Sequence, residues 1–463
     1  MDVVTQMKNF LEPRSVAIFG VSRRTGKEAF NILESLLSYG YQGKVYPINP
    51  NASEILGIKC YSSIREVPEQ CDLAIINLPR QLVPQVVREC ASNGIESVVI
   101  ETQGFADADD DEGKQLQGEL DEVIRGSKVR VLGPNSLGTG NAFANFSSSF
   151  ARLEMERVPV GVICQTGVFM CGFFFLKLVG KGIDLGNGCD LDFADGLRYF
   201  EQDDDIKVVA LHIEGIKDGR RFMEAANTIT RKKPVVALKT GKSERAAQAA
   251  QSHTGSLVGK DEVWDVGLRQ SGIIRVSDVD EFADVVKAFY TLPLMKGRRL
   301  GVVTYTGGVG IMCIDACQKC GLEMAKLSQA TINRLDALYP SWQNVGNPAD
   351  IWPAIMVERK ASLSEVEEIA VDTLLSDPGV DAVLCILGEF MPPSEWRSLL
   401  PMVKRATKSH PDKPLVFHFY GPFGGETKTE LEKTGKTLVF TSTDRAIRTL
   451  GHLADYSEFR KER

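Results

Sequence analysis

The stretch AAQSHTGSLVGKDEVW holds His253, one of only five histidines in 463 residues. Its small neighbours leave the ring accessible. The segment follows a β-branched run, KPVVALKTG, and precedes a helical pattern carrying Val263, Trp264 and Val266. That order puts His253 at the carboxyl edge of a parallel sheet, where ligands gather. A neutral imidazole, available at pH 7 because its ordinary pKa is about 6.5, is a competent nucleophile toward phosphorus when a carboxylate orients its other nitrogen. Glu214, in LHIEGIKDG, ends the preceding strand and is placed to do this. Pattern alone leaves two roles open: this one, and a loop histidine that serves the hydrogen bonds of a turn. His212 lies on the same strand as Glu214 and reads as a packed or supporting residue.

Several strand-turn-helix junctions could receive an anion, because the first amides of a helix lack intrahelical acceptors and its N-terminus is electropositive. In VAIFGVSRRTGKEAFNIL a strand runs into Gly20, turns through Ser22 to Gly26 and opens a helix at Lys27. Val21 and Ser22 follow Gly20 and the next glycine is Gly26, so the G-x-G-x-x-G fingerprint is missing. Glu28 after the lysine excludes a Walker loop, and no acidic residue follows YPINP to hold a nicotinamide ribose. An NAD-dependent dehydrogenase is thus disfavoured. A nucleotide-like ligand other than NAD and a purely structural turn both remain. VICQTGVFMCGFFF and VVTYTGGVGIM share one design, with turns at Gln165, Thr166 and Gly167 and at Tyr305, Thr306, Gly307 and Gly308. Two such helix ends converging on one phosphate would contribute up to ~2 kcal/mol each. LGPNSLGTGN sets Gly133, Pro134 and Asn135 at a strand end, where Asn135 either binds a ligand or caps the turn. CIDACQKC aligns Cys313, Cys317 and Cys320 on one helical face with no histidine or fourth cysteine nearby, and no metal site is expected.

Positioning these residues requires parallel sheets. The chain alternates short β-branched runs with segments of helical period, the pattern of an α/β protein. One series (SVAIFG, KVYPINP, DLAIINLP, ESVVIETQGF, VRVLGPNS) predicts a doubly wound domain over 1–150. GKEAFNILESLLSYG is its first helix, with Phe30, Leu33, Leu36 and Leu37 on one face. A second series (VGVICQTG, GIDLGNG, IKVVALHIEG, KPVVALKTG) predicts a domain over 151–294, and a third, after MKGRR, one over 295–463. A hydrophobic content of 43% supports large cores, and the length exceeds the roughly 100 to 200 residues of one domain. The net charge of -7 has no basic cluster to attract nucleic acid. No apolar run reaches the ~18 residues of a membrane span and the N-terminus lacks a signal-peptide pattern, so the sequence predicts a cytoplasmic protein with no membrane partner.

Together these residues resemble the α subunit of the NDP-forming acyl-CoA synthetases, the ADP-forming acetate–CoA ligases related to succinyl-CoA ligase. The most specific piece is ALKTGKSERAAQAAQSHTGSLVGKDEVWD, similar to the phosphohistidine segment with its SHTG; VYPINP, TQGFAD, GPNSLG, LHIEGIKDGRRF and NPADI support it. The resemblance spans essentially the whole chain. It implies a Rossmann-like CoA-binding domain followed by two flavodoxin-like ligase domains. It also implies CoA contacts at Gly20, Ser22, Lys27, Pro50, Asn77, Pro79, Gly133, Pro134 and Asn135. Phosphate would be met by Gln165, Thr166, Gly167, Thr254, Gly255, Gly307 and Gly308. The implied reaction is acyl-CoA + ADP + phosphate = carboxylic acid + ATP + CoA, through an acyl phosphate and a phosphohistidine at His253 supported by Glu214. ADP/ATP and Mg2+ would sit mainly on a separate ATP-grasp β subunit, making a hetero-oligomer. The alternative is a non-catalytic CoA- or acyl-CoA-binding regulatory protein of the same fold. Where relatives read SQSGALG, Phe169 and Met170 replace small residues near the implied acyl site. Tyr305 departs from the usual Asn-Ala-Gly-Gly turn, and Ser136 stands where cysteine is common.

Overall fold

The computed structural model describes residues 3–26, 29–242, 245, 260–389, 396–422 and 424–462. They form two compact units, Met1–Phe282 and Ala283–Arg463.

In the first unit, five β-branched runs pair in parallel in the order Lys44–Ile48, Ser15–Phe19, Leu73–Ile76, Ser97–Ile100, Arg130–Leu132. A parallel bridge from Ile48 to Tyr61 marks a residual further strand beyond Lys44–Ile48. Counting it gives the 3-2-1-4-5-6 order of a Rossmann sheet. The three central strands are buried at every residue, which is why they read as unbroken apolar runs rather than alternating ones. The strand order reverses between Ser15–Phe19 and Leu73–Ile76, so Gly20 and Asn77 face each other at the crevice.

The second sheet runs Ile274–Val276, Val235–Lys239, Val208–Ile213, Val160–Cys164, Lys181–Asp184, all parallel. It is completed by Thr139–Asn141 and Phe146–Ser147, both antiparallel. Its reversal point lies between Val160–Cys164 and Val208–Ile213, which brings Gln165 to Glu214. One apolar core is continuous across both sheets and includes Val16, Ile18 and Leu73 with Ile163, Ile183 and Leu197.

The second unit repeats the parallel plan in the order Glu323–Met324, Arg299–Thr304, Ala382–Gly388, Leu415–Tyr420, Leu438–Phe440, with Ala349–Asp350 paired to Arg299–Thr304. Its core joins Val303, Val383, Cys385 and Phe417 to the helix Leu363–Ser376. No helix among the described residues is long and apolar enough to cross a membrane.

Local details differ from the sequence expectations. The strands at 139–147 lie within the range assigned to the first domain but ladder onto Lys181–Asp184 of the second sheet. Thr-Gly-Asn has little strand propensity of its own, and the partner strand supplies it. The division between the two compact units falls at Ala283, within the helix Val279–Thr291. The first crossover helix opens at Ile32 rather than Lys27, because Asn31 caps it by accepting from Glu34 N. Phe30, at φ 46, lies before that helix, and Leu37 is exposed while Leu33 and Leu36 are buried.

Gly20 has φ +86, and a Cβ there would lie 1.9 Å from the carbonyl oxygen of Asn77. Gly20→Ala is expected to lower the unfolding free energy by roughly 2–4 kcal/mol, from left-handed strain plus overpacking. Chemical denaturation followed by circular dichroism checks this; a midpoint equal to that of the parent chain would contradict it.

Candidate active site

The carboxyl edges of the first two sheets enclose a cavity of about 560 Å3. Asn77, Glu101, Thr102, Gln103, Phe30 and Phe150 come to it from the first series of elements. Asn135, Ser136 and Leu137 follow the strand Arg130–Leu132, and Thr166, Gly167, Val168 and Asp184 come from the second sheet.

On the first side, Thr102 Oγ1 donates to Leu78 O at 2.8 Å, and Asn135 N donates to Thr102 O at 2.9 Å. These bonds knit three successive strand ends into one wall. Asn135, at φ 57, turns the chain, and its Nδ2 lies 3.4 Å from Asn187 Oδ1. Pro134 is buried and its carbonyl accepts from Asn187 N at 2.9 Å, while Gly133 O accepts from Cys189 N at 3.1 Å. The GPN turn is therefore clamped by the loop after Lys181–Asp184.

The turn after Gly20 is held internally. Ser22 Oγ accepts from Arg24 N at 3.0 Å, Asn31 Nδ2 donates to Ser22 O at 2.9 Å, and Gly26 N donates to the Glu34 carboxylate. The Gly26 amide is thus engaged by a side chain. Pro50 and Pro79 are exposed loop residues after their strands and do not line the cavity. Lys27 lies outside the described residues.

On the second side, Gly167 opens the helix Gly167–Phe175. A Cβ at this position would come within 2.4 Å of the Leu137 side chain and 3.0 Å of Asp184 Oδ2, so only glycine lets the helix end approach the GPN turn this closely. Asp184 is the hinge between the two. Its Oδ2 accepts from Leu137 N at 2.6 Å, its Oδ1 accepts from Gly186 N at 3.3 Å, and its carbonyl accepts from Ser136 Oγ. Burial pushes its carboxyl up to about 6, with the nearby Glu214 charge adding to the effect against these amides. Val168, 79% exposed, is the residue of VFM that lines the cavity. Phe169 stacks on the His212 ring at 4.2 Å and Met170 is fully buried, so neither departure from the family pattern lines the cavity.

Next to Thr166, the Gln165 side-chain oxygen accepts from Glu214 N at 2.7 Å and from Gly215 N at 3.0 Å. Glu214 is further anchored from below, where Lys239 Nζ donates to its carbonyl at 3.0 Å and to Thr240 O. That ammonium is 1% exposed and lies 5.0 Å over the Trp264 ring. Burial pushes its pKa down to about 8. His212 packs as the sequence suggested, and burial pushes it down to about 4, leaving a neutral ring whose Nε2 is 3.4 Å from Thr240 Oγ1.

The cavity thus unites Asn77, Asn135, Thr166 and Gly167, with Gln165 and Glu214 adjoining Thr166 at the strand reversal. In the second unit, Gly307 and Gly308 open the helix Gly307–Lys319 after Thr306 and are exposed, and the Tyr305 hydroxyl donates to Glu367. On the same helix, Cys313 and Cys317 are buried, and burial pushes both thiols up to about 12. His253, Thr254 and Gly255 lie outside the described residues. Sequence reasoning missed Glu101 and Asp184. Their signal was present: each is a carboxylate closing a buried run, in SVVIE and KGID, at the edge where ligands bind.

Residues 14–142 match the CoA binding domain family and residues 158–289 the succinyl-CoA ligase like flavodoxin domain family. The α subunit of ADP-forming acetate–CoA ligase II of Pyrococcus furiosus is 37% identical over 92% of this chain and 93% of its own length. The chain belongs to the ADP-forming acetate–CoA ligases. The isozyme I α subunit of the same organism is 32% identical over 98% of both chains. The ADP-forming acetate–CoA ligase II of Archaeoglobus fulgidus is 34% identical over 99% of this chain, which spans 68% of that relative. A solved structure of the acetyl-coenzyme A synthetase 1 of Ca. Korarchaeum cryptofilum, in complex with phosphate and ADP, superposes with a TM-score of 0.87 at 29% identity, covering 98% and 97% of the two chains. The protein is accordingly an ADP-forming acyl-CoA synthetase, an acid–thiol ligase of CoA, phosphate and adenine nucleotide chemistry.

The Asp184 carboxyl gives this site a pH signature. With its pKa raised from 3.8 to about 6 on folding, the folded chain holds a proton that the unfolded chain has lost, so this group's contribution to stability falls as pH rises from about 4 through 6. The full span corresponds to about 3 kcal/mol. His212, neutral when folded, acts in the opposite sense, with a contribution present above about 6.5 and lost toward 4. Comparing wild type with Asp184→Asn cancels the histidine. Denaturant midpoints at pH 4 and pH 7 should show the variant gaining on wild type by up to about 3 kcal/mol at the higher pH. A gap independent of pH would contradict the assignment.

Proposed function

We propose that this chain is the CoA-binding and phosphoryl-relay subunit of a two-part acyl-CoA synthetase acting in the cytoplasm. In this reading, acyl-CoA lies over the strand ends at Gly20 and Asn77, past the GPN turn. Phosphate, resting at the N-terminus of the helix Gly167–Phe175, attacks the thioester carbonyl. The carbon–sulfur bond breaks, CoA leaves as the thiol, and an acyl phosphate remains. His253 then attacks phosphorus and releases the carboxylate. ADP, held with Mg2+ on a separate ATP-grasp β subunit, takes the phosphoryl group from the imidazole and leaves as ATP.

The observation that most supports this is the double amide grip of Gln165 on Glu214 and Gly215, which joins the turn at the helix mouth to the carboxylate beside it. Lys239 holds Glu214 from the strand that leads directly to the KTGKSERAAQAAQSHTG segment. Such a carboxylate orients the imidazole and stabilises the charge that develops on it. The expected roles of Thr254, Gly255, Gly307 and Gly308 toward phosphate remain part of this proposal, as do Ser22, Lys27, Pro50 and Pro79 toward CoA.

Co-expression with an ATP-grasp subunit, followed by a panel of acyl-CoA thioesters with phosphate and ADP, should give ATP only when both chains are present. A phosphoryl donor should label this chain with acid-labile, base-stable phosphate, and His253→Ala should abolish the label. Glu214→Gln should lower kcat about 100-fold or more, the usual scale for loss of a positioned acid–base group. Labelling that persists in His253→Ala would refute the relay, and a chain that binds CoA thioesters but is never labelled would favour the non-catalytic binding protein.

A further inference from the structure

Two side chains of the cavity wall, Asn77 and Glu101, are bonded to each other in one particular sense. Glu101 closes the buried strand Ser97–Ile100 and is only 6% exposed, whereas Asn77 is exposed toward the cavity. Glu101 Oε1 accepts from Phe150 N at 2.9 Å and its Oε2 accepts from Asn77 Nδ2 at 3.1 Å. Burial raises the carboxyl's pKa, yet a protonated carboxyl keeps acceptor capacity on both oxygens, so neither bond depends on its charge. An asparagine amide has one donating end and one accepting end, and Glu101 takes the donating one. The backbone around Asn77 is fixed as well. Its N donates to Phe19 O at 3.1 Å, Leu78 N donates to Thr102 Oγ1 at 3.3 Å, and Thr102 Oγ1 donates to Leu78 O at 2.8 Å. With the main chain pinned and Nδ2 turned to Glu101, Asn77 Oδ1 is the end of the amide left for a ligand.

The rest of the lining says which part of CoA that acceptor meets. Glu101 and Asp184 both line the cavity, and among the described lining residues there is no lysine or arginine. Such a wall suits an uncharged portion of the ligand and is unsuited to its phosphates, which need cationic partners. The Phe30 and Phe150 rings meet edge to face at 5.9 Å and offer an apolar surface to methylene groups. The pantetheine arm of CoA has this mixed character, with methylene units between secondary amides that each carry an N–H to donate. A volume of about 560 Å3 is within the range that holds ligands of this size.

We propose that Glu101 is a positioning residue, holding the Asn77 amide so that Oδ1 accepts a hydrogen bond from a pantetheine N–H of CoA. The carboxyl itself need not touch the ligand; it sets the polarity that Asn77 presents. This inference rests on the reading that the arm of CoA lies in this cavity.

Glu101→Gln inverts that polarity at constant shape. The new amide oxygen accepts from Phe150 N, its NH2 faces Asn77, and the Asn77 amide must turn over to accept, which sets its own NH2 against the ligand N–H. Isothermal titration of the full chain with CoA should then show affinity about tenfold weaker than wild type. Adding Asn77→Asp to Glu101→Gln keeps the total charge of the pair, lets the new carboxylate accept from the new amide and offers its second oxygen to the ligand. The double variant should bind CoA within about threefold of wild type. A purely structural Glu101 gives no such rescue, because the two side chains stay bonded to each other in the single variant too. Equal affinity in wild type and Glu101→Gln overturns the proposal, as does a loss that Asn77→Asp leaves in place. If Glu101→Gln does not fold, a crystal structure of wild type with CoA decides: Asn77 Oδ1 within about 3.2 Å of a pantetheine nitrogen supports the proposal, and an Asn77 that touches neither amide nitrogen overturns it. Failure of wild type to bind CoA would sink the underlying reading, and this inference with it, whereas binding indifferent to Glu101→Gln sinks only the inference.

Discussion

A single side-chain oxygen, that of Gln165, receives the backbone amides of both Glu214 and Gly215. Both amides follow the strand Val208–Ile213, beside the end of Val160–Cys164 from which Gln165 projects. By closing both, Gln165 turns a gap in the sheet into a rigid seat for a carboxylate. Lys239 contributes the second constraint, donating from the interior to the Glu214 carbonyl. The resulting geometry fixes the Glu214 backbone from both sides, through a turn residue and a lysine of the neighbouring strand.

Desolvation dominates the electrostatics of this edge. It pushes the carboxyls of Glu101 and Asp184 up and pushes Lys239 and His212 down. Each shift favours the neutral form, as burial away from water requires. Backbone amides on Asp184 and partial compensation of Lys239 by Asp261 and Glu214 oppose the trend without reversing it. Of these four groups, Glu101 and Asp184 line the cavity, and Lys239 and His212 lie beneath the adjoining strand end.

Much of this was legible in the chain itself. Unbroken apolar runs ending in Gly, Pro or Ser gave the three parallel sheets, because a strand buried on both faces has no polar alternation to display. The GPN turn was found because the left-handed backbone at Gly133 and Asn135 favours those residue types, and the QTG turn because a small polar turn separates a buried run from a helical one. The short strands at 139–147 were not, since Thr-Gly-Asn becomes a strand only through its partner. The start of the first helix was misplaced because a pattern of apolar spacing does not reveal that Asn31 competes as cap. Glu101 and Asp184 escaped notice for a different reason. A carboxylate at the end of an apolar run reads as the beginning of a solvated loop, and only the fold brings a second sheet over it.

The antiparallel ladder from Thr139–Asn141 to Lys181–Asp184 has a mechanical corollary. A chain that leaves the Rossmann sheet and immediately becomes a rung of its neighbour staples the two together on one flank of the cavity. Swinging one sheet away from the other would also have to break the bonds from Asn187 N to Pro134 O and from Cys189 N to Gly133 O that clamp the connecting turn. The width of the chamber is thus set when the protein folds, and adapting it to another acid requires changing the lining rather than the swing of a domain.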